Sequence, residues 1–179
     1  MHAAFLRLWP GGDLRSCCSP AALERARACA HALGLPFEAI DDERPFRELV
    51  VEPFVDDYLA GLTPNPCVVC NSFRLADLVE RAARQDIGRV ATGHYARLVW
   101  RDGEPYLARA AHAAKDQSYM LWRVDPGTLA RLEFPLGELD GSISHCTTTT
   151  ELERMVSIRT LVLGYMGREG PAHQTVVRT

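Results

Sequence analysis

The sequence predicts an α/β fold with a parallel sheet, and three observations carry that prediction. Short apolar runs at residues 3–9, 36–41 and 89–92 have the length of strands. Helical patterns at residues 20–33, 44–59 and 71–85 alternate with them, which is the order of a parallel sheet covered by helices. A Thr92-Gly93-His94 turn then falls at the carboxyl end of a strand, the edge where open α/β sheets bind ligands.

The first run, residues 3–9, is closed by the turn signal Pro10-Gly11-Gly12-Asp13. Ser19 suits an N-cap and Pro20 the first helical position, and Gly34 suits the end of that helix. Cys29 falls on its expected interior pattern. After the strand at 36–41, residues 44–59 read as a helix with Phe46, Leu49, Val50, Pro53, Phe54 and Tyr58 near one face; Pro53 predicts a kink or break. The helix at 71–85 should bury Leu75, Leu78, Val79 and Ala82. Asp102-Gly103 between residues 95–100 and 105–110 is a hairpin signal. A helical stretch at 119–124 follows, then a short helix opened by Asp125-Pro126 and reaching about Leu132. From Asp140 the pattern is lost, with four threonines after Cys146 and one further helix expected at 151–163. Trp9, Trp100 and Trp122 read as packing residues.

Net charge over the 179 residues is −3, which by itself gives no reason to expect nucleic acid as a partner. Its distribution is uneven: −4 over residues 1–70, +3 over 71–131 and −2 over 132–179. The basic segment is the one that follows a Cys-x-x-Cys pair, and it holds the only lysine, Lys115. Residues 1–10 lack the charged and apolar regions of a secretory leader, and no apolar run is long enough to cross a membrane. The expectation is a cytoplasmic protein whose six cysteines serve chemistry or metal binding in a reducing compartment.

The stretch from Gly61 to Asn71 is the most informative. Pro64 and Pro66 stiffen the approach to Cys67 and Cys70, and a helical pattern begins directly after. Cys70 is therefore expected near a helix N-terminus, where the dipole and unpaired N–H groups favour a thiolate. Such a thiol suits sulfur chemistry, a zinc ligand pair or a redox dithiol, and the spacing leaves the three open. Cys17 and Cys18 could complete a four-thiolate zinc site, but adjacent cysteines rarely ligate one zinc with good geometry, so no metal site is expected.

Thr63-Pro64-Asn65-Pro66-Cys67-Val68-Val69-Cys70-Asn71 resembles the tRNA-specific 2-thiouridylases of the MnmA type. Further matches keep the family's order: Arg15-Ser16-Cys17-Cys18-Ser19-Pro20, the lead-in from Phe54 to Gly61, Ala91-Thr92-Gly93-His94-Tyr95-Ala96-Arg97, Lys115-Asp116-Gln117-Ser118-Tyr119 and Phe134-Pro135-Leu136-Gly137-Glu138-Leu139. The resemblance spans about residues 3–139, expected to form a partial PP-loop thiouridylase domain, with 140–179 as a divergent tail. It implies a partial parallel sheet of the adenine nucleotide α-hydrolase-like (PP-loop) type, followed by a β-hairpin and short helices.

The activity it implies is a tRNA uridine 2-sulfurtransferase. ATP, with Mg²⁺, adenylates the C2 oxygen of the wobble uridine, a protein donor supplies persulfide sulfur, and AMP leaves. An amide-like carbonyl is a poor electrophile until its oxygen becomes a leaving group, whereas a persulfide is a strong nucleophile near neutral pH. Carried over residue by residue, Cys70 takes the nucleophile position, with a disulfide or persulfide release as its first step. Asn65, Pro66 and Cys67 face the target base, and Cys67 stands where other members have Asp. Leu6 lies against the adenine and Gly93 near the nucleotide, where a glycine permits close approach. His94, Lys115, Asp116 and Gln117 contact tRNA.

The departures shape the expectation too. The family's Ser-Gly-Gly-Val-Asp-Ser phosphate loop does not occur in these residues, and Cys146 does not stand in the context of the family's second catalytic cysteine. Ser72-Phe73-Arg74-Leu75 replaces the usual Ile-Lys-Phe, and Arg74 keeps the charge but not the lysine chemistry. The expectation is therefore a truncated copy that does not turn over alone, with a dithiol redox module, a zinc module or an inactive fragment as the alternatives.

Overall fold

A computed structural model describes residues 1–9 and 19–139 in full, and residues 163–164 and 174–178 as backbone strands. Strand β1 (Ala3–Arg7) pairs in parallel with β2 (Phe37–Asp41), Ala3 opposite Phe37 and Leu6 opposite Ile40. Helix α1 (Pro20–Ala32) connects them. It starts as expected: the Ser19 hydroxyl accepts the Ala22 N–H at 3.2 Å and Pro20 occupies the first turn. It ends at Gly34, whose φ of +66° is a left-handed conformation glycine adopts without strain. The helix buries Ala22, Ala26 and Ala30, spaced by four, which turns Cys29 outward; the cysteine expected in the core is exposed.

The helix expected at 44–59 is broken, and the break lies just ahead of Pro53. Helix α2 (Glu43–Phe46) passes into a π-helical turn at Arg47–Val51, and α3 (Glu52–Leu59) follows. Pro53 has no N–H to offer and its ring crowds the carbonyl four residues back, at Leu49; the wider turn relieves both problems. Only Val50 of the predicted apolar face is fully buried, while Leu49 and Tyr58 are more than half exposed.

Helix α4 (Pro66–Arg84) is the longest element among the described residues and the centre of their core. Leu75, Leu78, Val79 and Ala82 form its buried stripe as predicted, each leucine contributing about 2 kcal/mol by burial. Strand β3 (Arg89–Thr92) follows, then a hairpin of β4 (Ala96–Arg101) and β5 (Glu104–Arg109). Asp102 and Gly103 both take positive φ, 52° and 82°, as a type I′ turn requires. The stretch at 119–124 is a single 3-10 turn, Ser118–Met120, in place of the expected helix. Helix α5 (Pro126–Leu129) opens on Asp125, whose carboxylate accepts the Thr128 N–H at 2.9 Å. It stops short of the expected Leu132, because Leu132–Glu133 forms strand β6, parallel to β3.

Strands β7 (Leu163–Gly164) and β8 (Gln174–Arg178) complete a sheet of order β6-β3-β8-β7. Strand β8 runs antiparallel to β3, Arg89 opposite Arg178, and also lies alongside β1. The fold is α/β with two parallel strand pairs, and the strand between them runs the other way. The expected helix at 151–163 lies outside the described residues, apart from Leu163 in β7. Of the three tryptophans read as packing residues, Trp9 is 40%, Trp100 50% and Trp122 70% exposed. No helix among the described residues is long and apolar enough to cross a membrane.

Candidate functional site

The two thiols stand at the start of α4. Asn65 is its N-cap, the side-chain oxygen accepting the Cys67 N–H at 3.1 Å, and Pro66 is the first helical residue. The helix thus begins five residues earlier than the pattern after Cys70 suggested. Cys67 lies in the first turn and is exposed; Cys70 lies one turn further in and is half-buried. The Asn-Pro pair was a legible signal for this start, since a proline forces its predecessor out of helix and fits the first helical position itself. Neither Cys67 nor Cys70 is in a disulfide, and Cys17, Cys18 and Cys146 lie outside the described residues. Among the described residues no three His, Cys, Asp or Glu side chains gather as a metal site would need.

Directly after Cys70, Asn71 is 2% exposed and enters a buried polar network at the carboxyl end of β3. Its Oδ1 accepts from the Arg74 guanidinium at 2.6 Å and lies 3.2 Å from His94 Nε2. Its Nδ2 reaches the Met120 carbonyl at 3.5 Å. His94, 1% exposed, places its other ring nitrogen 2.6 Å from the Thr92 hydroxyl and its ring edge-on to Phe134. Arg74 can only donate, which fixes the Asn71 oxygen as the acceptor of both partners and the His94 proton on Nε2. The hydroxyl of Ser72 adds a bond to the Arg123 carbonyl at 3.2 Å. Gly93, between Thr92 and His94, is buried. The resemblance implies a tRNA contact for His94; in the structure its ring is buried between Thr92 and Asn71. Thr92, Asn71 and Arg74 were not singled out for a role, and only their partners in the fold reveal one.

Lys115, Asp116 and Gln117 clamp the open end of the hairpin. Asp116 accepts the Ala110 N–H at 2.8 Å and the Ser118 hydroxyl at 2.8 Å. Burial pushes its carboxyl up, but these hydrogen bonds outweigh it and hold the group below its ordinary value. Gln117, 3% exposed, accepts the Tyr95 N–H at 2.9 Å. The Lys115 ammonium sits 5.2 Å from the centre of the Tyr95 ring and stays partly exposed. Leu6 lies apart in sequence from this group on β1, partly buried and opposite Ile40.

A cleft of about 290 Å³ opens on the flank of α4 away from Cys67. Val50, Phe54, Pro66 and Val69 line it, and Trp122 and Arg123 stand against it. At roughly 100° per helical residue, Cys67 points almost opposite to this cleft, and Cys70 about a third of a turn from it. A second polar cluster sits where β2 ends. Asp42, 2% exposed, meets Arg81 at 3.1 Å, and Arg81 meets Asp77 at 2.5 Å. Burial, aided by the charge of Asp77, pushes the Asp42 carboxyl up to about 6, against the pull of Arg81.

The parallel strand pairs, the covering helices and a thiol helix tied to the carboxyl end of β3 define an α/β domain, and that end of a strand is where open α/β sheets bind ligands. The chain belongs to the tRNA methyl transferase HUP domain family, whose sequence model matches residues 1–154. Over 138 residues it is 44% identical to the tRNA-specific 2-thiouridylase MnmA of Syntrophotalea carbinolica, a match covering 75% of this chain and 38% of that protein. It is 46% identical over 138 residues to the protein of the same name from Sorangium cellulosum, covering 74% of this chain and 36% of the relative. For the one from Deinococcus radiodurans the identity is 41% over 144 residues, with 76% and 38% covered. The chain thus spans less than two fifths of the length of these relatives.

Proposed function

We propose that this chain carries the thiol-bearing part of a tRNA uridine 2-sulfurtransferase, which uses ATP to place persulfide sulfur on C2 of the wobble uridine (position 34) and forms 2-thiouridine. The observation that carries the reading is the half-buried Cys70, next in sequence to the amide that ties α4 to β3, in a chain 41–46% identical to 2-thiouridylases over three quarters of its length. Cys70 is the nucleophile. Its thiolate attacks the inner sulfur of a protein persulfide, forming a disulfide and releasing the outer sulfur as hydrosulfide; a thiol reductant then reopens the disulfide. The released sulfur attacks C2, and AMP leaves with the oxygen.

Asn65, Pro66 and Cys67 face the target base, and exposed Cys67 forms its wall rather than its chemistry. Lys115 meets the phosphate backbone, while Asp116, Gln117 and His94 shape the surface around it from below. Leu6 and Gly93 supply the adenine side of the nucleotide site. The family's phosphate loop does not occur among the 179 residues, so no step at the ATP phosphates or their Mg²⁺ is assigned to this chain. Residues 1–139 act as the catalytic part, and the setting is the cytoplasm, where a persulfide-carrying protein delivers the sulfur.

Incubation of the chain with tRNA, ATP, Mg²⁺ and a protein persulfide, followed by mass analysis of Cys70 and of the tRNA nucleosides, tests the reading. A disulfide between Cys70 and the donor with release of hydrosulfide, and no robust thiolation of tRNA by this truncated chain alone, supports it. Absence of that exchange, together with Cys67/Cys70-dependent reduction of a generic disulfide, would replace it by the dithiol redox reading, and robust ATP-dependent thiolation would overturn the truncated-copy reading.

A further inference from the structure

We infer that His94 is a positioning residue for the Cys70 thiol and acts on it through Asn71. The inference rests on Cys70 as the reacting thiol and goes beyond it in naming what aims that thiol. Cys70 and Asn71 are consecutive on α4, so whatever fixes the rotation of the Asn71 side chain about the helix axis fixes the direction of Cys70, roughly 100° away. The Asn71 amide is held on three sides, by His94 Nε2 at 3.2 Å, Arg74 at 2.6 Å and the Met120 carbonyl at 3.5 Å.

His94 is the member of this set that reaches outside α4 to the sheet. The Thr92 hydroxyl, 2.6 Å from Nδ1, donates to that nitrogen and so keeps the proton on Nε2, facing Asn71. With both residues at most 2% exposed, no water competes for these bonds. The carboxyl end of β3, where Gly93 sits, is thereby linked to the thiol helix by a chain of three side chains: Thr92, His94 and Asn71. Cys67, a turn earlier and exposed, is held by the Asn65 cap instead, which makes it an internal reference.

The test is the ratio of alkylation rates at Cys70 and Cys67 in the intact chain, read by fragment-ion mass spectrometry after timed iodoacetamide exposure. In the parent, half-buried Cys70 reacts more slowly than Cys67. His94→Leu releases the Asn71 amide, lets the second turn sample solvent, and raises the ratio about threefold, the scale of one net hydrogen bond. His94→Gln, which can restore a donor to Asn71, returns the ratio toward the parent value. A purely packing role predicts the same ratio in both variants, since Leu fills the pocket as well as Gln does, and that result overturns the inference. An unchanged ratio in a folded His94→Leu protein overturns the inference. Should that variant fail to fold, near-isosteric Thr92→Val is read in its place; a rise in the ratio supports the inference and an unchanged ratio overturns it. The assay needs no tRNA or ATP, so loss of the sulfurtransferase reading and loss of this inference give different results.

Discussion

Asp42→Asn should flatten the dependence of stability on pH. Asp42 is 2% exposed, its carboxyl lies beside that of Asp77, and it is raised from 3.8 to about 6. The groups around it are Asp41 on β2, Asp77 and Arg81 on α4, and Arg7 on β1, which pairs with Asp41. Because the folded value lies above the unfolded one, the native state holds the proton more tightly. Stability is highest below the unfolded value, falls as pH rises through the window, and levels off above about 6. Integrating the two titrations gives a loss of about 2 kcal/mol between pH 4.5 and 7.5. Urea unfolding at several pH values measures it, as the difference between parent and variant. The asparagine cannot titrate, so the parent should lose about 2 kcal/mol more than the variant across that range. A difference curve that is flat, or that slopes the other way, would refute the burial argument.

Three further changes test other parts of the fold. Asn65→Ala removes the cap of the thiol helix and should cost about 1 kcal/mol by urea unfolding; no loss would mean that Pro66 alone sets the helix start. Gly137→Ala drives a Cβ into the Ala96 carbonyl and the Arg97 side chain and should destabilise by about 3 kcal/mol, read as a lower thermal midpoint; a neutral outcome would show that this turn can shift freely. Removal of residues 174–179 takes β8 away from β3. Since the Val90 N–H donates to Arg131 on the other side, the Ala91 amide should lose hydrogen-exchange protection while that of Val90 keeps most of its own.

The parts of the fold set by local chemistry were legible in the sequence. Ser19-Pro20 starts α1, Asp102-Gly103 turns the hairpin, and the four-residue stripe of α4 is buried as its spacing requires. Each depends on residues a few positions apart. What escaped depends on distant partners. Cys29 has the apolar character of a core residue, yet the alanines that face the sheet are at other positions on the helix. His94 looks like a surface ligand until α4 is laid over it, and Asn71 is 23 residues away in the chain. Strand β8 has no warning in the pattern after Asp140, because its place is given by the edge of β3 that it covers. For the site, the order of the motifs pointed to Cys70 and its neighbours, whereas the inward set of Thr92, His94, Asn71 and Arg74 is visible only as distances.

The same helix bears on whether Cys67 and Cys70 act as a pair or separately. Their spacing is that of a redox dithiol, but both lie within regular α-helix, where Cβ atoms three residues apart stand about 5–6 Å from each other. A disulfide needs Cβ atoms roughly 3.5–4.5 Å apart, so closing one would pull the first turn out of shape. That turn is fixed at one end by the Asn65 cap and Pro66, and at the other by Asn71 and Ser72 bonded to the Met120 and Arg123 carbonyls. Rotating the helix to ease the closure would lift Leu75 and Leu78 out of the core, at about 2 kcal/mol each. Geometry therefore sets an internal Cys67–Cys70 bond against both the cap and the core. A disulfide from Cys70 to a sulfur outside α4 meets neither obstacle, and that is the bond a thiol exchanging with a protein persulfide has to form.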